Sequence, residues 1–241
     1  MLKQLIVLPS FSFSKMIQTI SDSGYAVSAV AFLAAAIVMY LFWFKPETEG
    51  YRCYYQEKKR EWFNIILILT AAFIVKAIYA VKFPGHETDM NCFYGWSEMV
   101  YENGISKFYY LDAFTDYPPG YMAILWVIAG IRHLFNVELY SNAGRLLIKL
   151  VPILADLVTG LLVYLVSKKK FSETTSILLT ALYVFNPIVM LDSSIWGQTD
   201  SVFTLFIVLT FYFCMEEKRT FAYFAYIIGV LIKPQAIMFA P

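Results

Sequence analysis

His86-Glu87-Thr88-Asp89 opens, and Asp116-Tyr117-Pro118-Pro119-Gly120 closes, the one long polar interruption of this chain. Strongly apolar segments flank it on both sides. Before Pro118 it carries Glu87, Asp89, Glu98, Glu102, Asp112 and Asp116 against a single lysine, Lys107. It is rich in aromatic residues and has turn signals at both ends. The reading of the apolar run that follows it, residues 119–135, decides the topology of everything downstream.

Composition sets the class. Of 241 residues, 59% are apolar or aromatic and 15% are charged. That is too little charge to coat a soluble domain, so the chain reads as a polytopic membrane protein. A net charge of +1 gives no reason to expect a nucleic-acid partner. Cys53, Cys92 and Cys214 show no pair spacing and form neither a disulfide framework nor a metal motif. The first apolar run follows about 24 mixed residues and lacks a small-residue cleavage site, so it does not read as a signal peptide.

A helix needs roughly 20 apolar residues to cross the hydrocarbon. Residues 25–44, 63–83, 147–166, 174–191, 201–215 and 221–240 are candidates. They predict an all-α membrane bundle of about six spanning helices. Lysine and arginine collect on the cytoplasmic side. Lys45, Arg52, Lys58, Lys59 and Arg60 mark one inner loop, Lys168-Lys169-Lys170 a second and Lys218-Arg219 a third. All of these fall inside only if residues 119–135, broken off by Arg132-His133, do not span. That run is then a juxtamembrane or re-entrant helix of an outer loop, residues 84–146. Such helices are tolerated where protein buries them. Asp192-Ser193-Ser194-Ile195-Trp196-Gly197-Gln198-Thr199-Asp200 falls on the same outer face as Asp89. The expected organisation is an extra N-terminal helix with a basic cytoplasmic loop, residues 1–62, before a membrane module, residues 63–241. The chain stops at Phe239-Ala240-Pro241 without a polar tail, and reads as the N-terminal part of a larger bundle.

Asp89 lies six residues beyond the 63–83 span. Cys92, Phe93, Trp96, Met99 and Val100 recur after it at helical spacing, which predicts a short amphipathic helix along the interface with Asp89 at its start. There Asp89 or Thr88 caps the helix, or the Asp89 carboxylate serves as a general base. Asp116-Tyr117-Pro118-Pro119 is a rigid helix start, and Asp116 with Tyr117 is also a candidate acceptor site. Arg145 and Lys149 either snorkel or capture phosphate, which suits the arginine fork. Asp156 sits near the middle of a span, where a charge is expensive. Pairing with Lys76 on the neighbouring helix is the favoured reading. Asp200 either caps the next helix or joins Gln198 in hydrogen-bonding a sugar stacked on Trp196. Lys233-Pro234 breaks the last span and suits a lipid phosphate. There is no glycine-rich nucleotide loop. No cofactor is expected; a divalent metal could use Asp89 and Glu87, but hard-cation sites normally take more oxygen ligands than these.

Taken in order, these residues resemble the GT-C superfamily of membrane glycosyltransferases, in its bacterial GPI-mannosyltransferase-like and protein O-mannosyltransferase-like groups. The resemblance rests on Asp89, on Asp116-Tyr117-Pro118-Pro119, and on Arg145 leading into Ile153-Leu154-Ala155-Asp156. Trp196-Gly197-Gln198-Thr199-Asp200 and Lys233-Pro234-Gln235 complete it. It covers residues 63–241. It implies transfer of a hexose, mannose by analogy, from a polyprenyl-phosphate donor to a hydroxyl of a glycan, lipid or protein acceptor. Asp89 matches the family's catalytic base, and Lys233 matches, less closely, its phosphate-gripping cations. The resemblance also implies a multi-pass protein of the bacterial plasma membrane with the site outside. A transporter or lipid-carrier flippase is the rival from another class, because intramembrane Asp156 and Lys233 with a proline break also suit a transport path. An inactive glycosyltransferase fragment is the third reading.

Overall fold

The computed structural model describes residues 54–240. The expected span at residues 25–44 lies outside them, as does most of the expected N-terminal region, residues 1–62. The described residues belong to one compact unit, Lys45–Pro241. They are all-helical: α1 (Tyr54–Lys82), α2 (Glu87–Asn103), α3 (Ile105–Phe108), α4 (Pro119–Leu134), α5 (Asn142–Ser167), α6 (Glu173–Val184) and α7 (Pro187–Met190), a π-helical turn Leu191–Trp196, then α8 (Asp200–Met215), α9 (Arg219–Ile232) and a 3-10 segment Pro234–Phe239.

Among the described residues, two helical stretches are long and apolar enough to cross a membrane, Trp62–Lys82 within α1 and Asn142–Ser167, which is α5. They pack against each other. On α1, Phe63, Ile66, Leu67, Ile74 and Ile78 are exposed, while Ile65, Ile68, Ala72, Lys76 and Tyr79 are buried. Apolar residues on the outer face and the few polar ones on the inner face are what a hydrocarbon solvent selects. α5 starts earlier than its apolar run suggests, because Ser141 caps it by accepting the Gly144 N–H at 3.0 Å.

The expected span at residues 174–191 is broken instead of straight. α6 ends at Val184, and the following piece, Pro187–Trp196, leaves it at 45°. Pro187 has no N–H to continue the ladder. The Asn186 side chain accepts the Ile188 N–H at 2.9 Å, which starts a new helix. The two pieces count as a third span if the bent pair is taken as one. α8, with 16 residues, and α9, with 14, are shorter apolar helices and pack as a hairpin. The last apolar run breaks where Lys233-Pro234 predicts: Lys233 is extended and the chain continues as a 3-10 turn.

Within the run 119–135, Pro119–Leu134 form α4, of 16 residues. At about 1.5 Å per residue this is about 24 Å, short of the roughly 30 Å hydrocarbon core. α4 packs on α2, and Tyr121, Met122, Leu125 and Ile128 share a core with Phe93, Tyr94, Trp96 and Val100. Of the predicted face, Phe93, Trp96 and Val100 are buried, joined by Met90, Tyr94 and Ser97, while Met99 is exposed. α2 is held by protein contacts on that face. Gly120 brings α4 close to α9, since a Cβ there would come within 2.6 Å of the Leu231 carbonyl oxygen.

Candidate functional site

Four chain segments meet at one end of the bundle: Phe83–Asp89 after α1, the α3–α4 loop ending at Tyr117, Trp196–Asp200, and Lys233. The start of α2 positions Asp89. Its N-cap is His86, whose side chain makes no capping bond, and Asp89 falls in the first turn. Asp89 and Thr88 are thus not the cap. The Asp89 carboxylate instead turns toward the Trp196–Asp200 segment. Its Oδ2 accepts the Trp196 indole N–H at 2.7 Å and the Gln198 amide N–H at 2.7 Å. His86 Nδ1 lies 3.3 Å from the same oxygen. All three contacts converge on Oδ2; among the described residues none is made to Oδ1. The side chain is 27% exposed.

Gln198 relays this contact. Its Oε1 accepts the Tyr117 hydroxyl at 3.2 Å and the Thr199 N–H at 3.3 Å. Thr199 in turn donates to the Tyr117 oxygen at 3.4 Å. Burial pushes the Tyr117 phenol above its ordinary value, and the Thr199 hydrogen bond and Lys233 offset this only in part. Tyr117 therefore stays protonated and keeps donating to Gln198. Lys233 Nζ sits 5.8 Å from the Tyr117 ring centroid and pairs with Asp200. Asp200 is the first residue of α8 and Thr199 is its N-cap, so Asp200 does not cap the helix; its carboxylate is spent on Lys233.

The backbone under this cluster is closely packed. The His86 N–H donates to the Trp196 carbonyl at 2.9 Å, and the His86 and Trp196 rings stack at 4.6 Å. One face of the indole is therefore covered by His86, not open for a sugar. Residues 191–196, where the expected 174–191 span gives way to the polar cluster 192–200, are π-helical. Asp192 carbonyl accepts both the Gly197 and Gln198 N–H at 3.0 Å. The turn ends at Gly197, φ +89°, where a Cβ would meet Met90 Sδ at 2.7 Å. Gly197→Ala is expected to lower stability by about 2 kcal/mol, since a left-handed L-residue costs roughly 1–2 kcal/mol before crowding. Thermal unfolding in detergent measures this, and an unchanged midpoint would show that the loop can relax.

Not every candidate joins the cluster. Asp116 is exposed and hydrogen-bonds none of these side chains among the described residues. Its charge, with that of Asp89, adds to burial in raising the Cys92 thiol. Arg145 Nη1 donates to the Val81 carbonyl at 2.9 Å, at the end of α1. Lys149 does not snorkel. It is fully buried and donates to the carbonyls of Phe83 at 2.9 Å, Ser194 at 3.0 Å and Ile195 at 2.9 Å. Sequence reasoning missed His86 and Thr199 as members of the site. The closeness of His86 to Asp89 in sequence was the signal available. Among the described residues no group of three or more histidines, cysteines, aspartates or glutamates stands together to hold a metal. Lys76 and Asp156 do pair, at 2.7 Å and fully buried, with Ser193 Oγ 3.1 Å from the ammonium.

No curated protein matches this chain, and no solved structure does. One family model matches residues 97–241, well over half of the chain, and it describes the GPI transamidase subunit PIG-U. The matched region holds Tyr117, Trp196–Asp200 and Lys233, together with all the helices from α3 onward. A helical membrane unit with this match is a member of the PIG-U family.

Proposed function

We propose that the protein handles a glycan carried on a lipid through phosphate, and that it transfers a hexose from a polyprenyl-phosphate donor to an acceptor hydroxyl. The observation that carries this is Asp89. One oxygen is fixed by Trp196 and Gln198, and the other is left to meet an incoming hydroxyl. In this reading the acceptor oxygen attacks the anomeric carbon and its proton passes to Asp89 Oδ1. The bond from that carbon to the phosphate oxygen breaks, and the phosphate leaves with the electron pair. Lys233 stabilises the departing charge. Asp200 holds Lys233 and is 46% exposed, so it can swing away as the phosphate arrives. The family description, which concerns GPI, supports a lipid-borne glycan as the ligand class.

That description also favours a second reading, in which the protein binds such a glycolipid as a subunit and catalyses nothing itself. The two separate in one experiment. Purified protein in nanodiscs is incubated with labelled polyprenyl-phosphate hexose and a mixture of glycolipid acceptors. Labelled acceptor supports transfer, whereas saturable binding without product supports the subunit reading. In either case Lys233→Met is expected to weaken donor binding about ten- to hundredfold. A hydrogen bond to a charged group is worth about 1.5–3 kcal/mol, and about 1.4 kcal/mol is tenfold. Donor affinity unchanged in that variant would remove Lys233 from the phosphate site.

A further inference from the structure

We propose that Lys149 is a positioning residue that sets the Asp89 carboxylate against its two donors. The proposal rests on the transfer reading above for its functional meaning, but its geometry stands independently. Lys149 is fully buried and meets three backbone carbonyls: Phe83 from the chain leaving α1, and Ser194 and Ile195 from the π-helical turn. Asp89 follows the first of these anchor points, and Trp196 and Gln198 follow the other two. An ammonium shared by three carbonyls on two segments fixes the spacing between them. The segments are close enough that a Cβ on Gly85 would come within 2.7 Å of the Trp196 carbonyl oxygen, and one on Gly197 within 3.1 Å of Lys149 Cε. Lys149 itself is anchored in α5, one of the two described helices long and apolar enough to cross a membrane. The clamp therefore references both halves of the site to a rigid element.

A positioning role differs from a merely structural one in what it moves. Misplacing a catalytic group by an ångström can cost about a hundredfold in rate, and that loss vanishes once the group it serves is gone. Lys149→Gln is expected to lower kcat about a hundredfold with donor KM changed by no more than about threefold. Combined with Asp89→Asn, it is expected to add less than about twofold to the loss from Asp89→Asn alone. The emission of Trp196, isolated by difference against Trp196→Phe, is expected to shift to the red as the indole leaves Asp89 and His86. Losses that multiply in the double variant, or an unchanged Trp196 emission, would overturn the proposal. Lys149→Arg keeps the charge but replaces the compact ammonium with a larger planar fork, which alters the spacing between the two segments, so it serves if Lys149→Gln does not fold. The same non-additive pattern, at about tenfold, is expected there, and full activity with native emission would overturn the proposal. If Asp89→Asn transfers sugar like the unmodified protein, the transfer reading falls, and the emission measurement alone then decides on the clamp.

Discussion

Asp89→Asn is expected, on the transfer reading, to reduce hexose transfer by about 10²–10⁴-fold, the range in which general-base groups act, with the donor still bound. The substitution keeps size and shape. The asparagine carbonyl oxygen can still accept from the Trp196 indole and from Gln198, which now hold Asp89 Oδ2 at 2.7 Å each. What is lost is basicity at the other oxygen. The expected signature is therefore a fall in kcat at nearly constant donor affinity and nearly constant thermal midpoint. Single-turnover transfer with labelled polyprenyl-phosphate hexose measures it. Unchanged transfer would exclude Asp89 as the base. A weakened glycolipid affinity in a protein that never forms product would instead make Asp89 a ligand-binding carboxylate, as the subunit reading requires.

Lys76→Met is expected to be the most destabilising change of those considered. Lys76 and Asp156 join α1 to α5 at 2.7 Å with both side chains fully buried. Lys76 also reaches Ser193 Oγ at 3.1 Å, which ties in the π-helical turn. Asp156 Oδ1 has no hydrogen-bond partner among the described residues, so the carboxylate depends on this one ammonium. Removing the cation leaves a buried charge uncompensated, at a cost of about 3–5 kcal/mol. That is a large share of the about 5–15 kcal/mol that holds a typical domain together. Little folded protein is expected in detergent. Lys76→Met with Asp156→Leu removes both charges and is expected to recover most of the loss, because buried pairs contribute little net stability over apolar residues. If the single variant were as stable as the parent, the pair would carry no structural weight.

The sequence made this pair legible, because two opposite charges inside apolar runs have few alternatives to meeting each other. Asp89, Tyr117, Gln198, Asp200 and Lys233 were legible as one polar face for a related reason: each interrupts or borders an apolar segment, and topology puts the interruptions at the same end. The backbone's share was hidden. Lys149 and Arg145 read as snorkelling or phosphate-capturing cations, yet they donate to the carbonyls of Phe83, Ser194, Ile195 and Val81. A carbonyl belongs to every residue and leaves no mark in the sequence. The π-helical turn was hidden in the same way. Asp192-Ser193-Ser194 reads as part of a polar cluster on the outer face, but its backbone groups sit against two apolar helices and must find partners nearby. They do so through Asp192, which takes two N–H groups, and through Ser193, whose hydroxyl returns to the Val189 carbonyl at 3.0 Å. Neither the His86 ring stacked on Trp196 nor the exposure of Asp116 follows from residue type.

The bend at Asn186-Pro187 works as a lever. From Pro187 to Trp196 the chain runs about 15 Å at helical rise. A 45° deflection over that arm moves its tip about 10 Å sideways relative to a straight continuation of α6. The indole that holds Asp89 rides near that tip. The spacing that Lys149 holds across the site thus depends also on an angle formed upstream, at Asn186 and Pro187. Substitutions at the fulcrum would retune the width of the site while every residue inside it stayed the same.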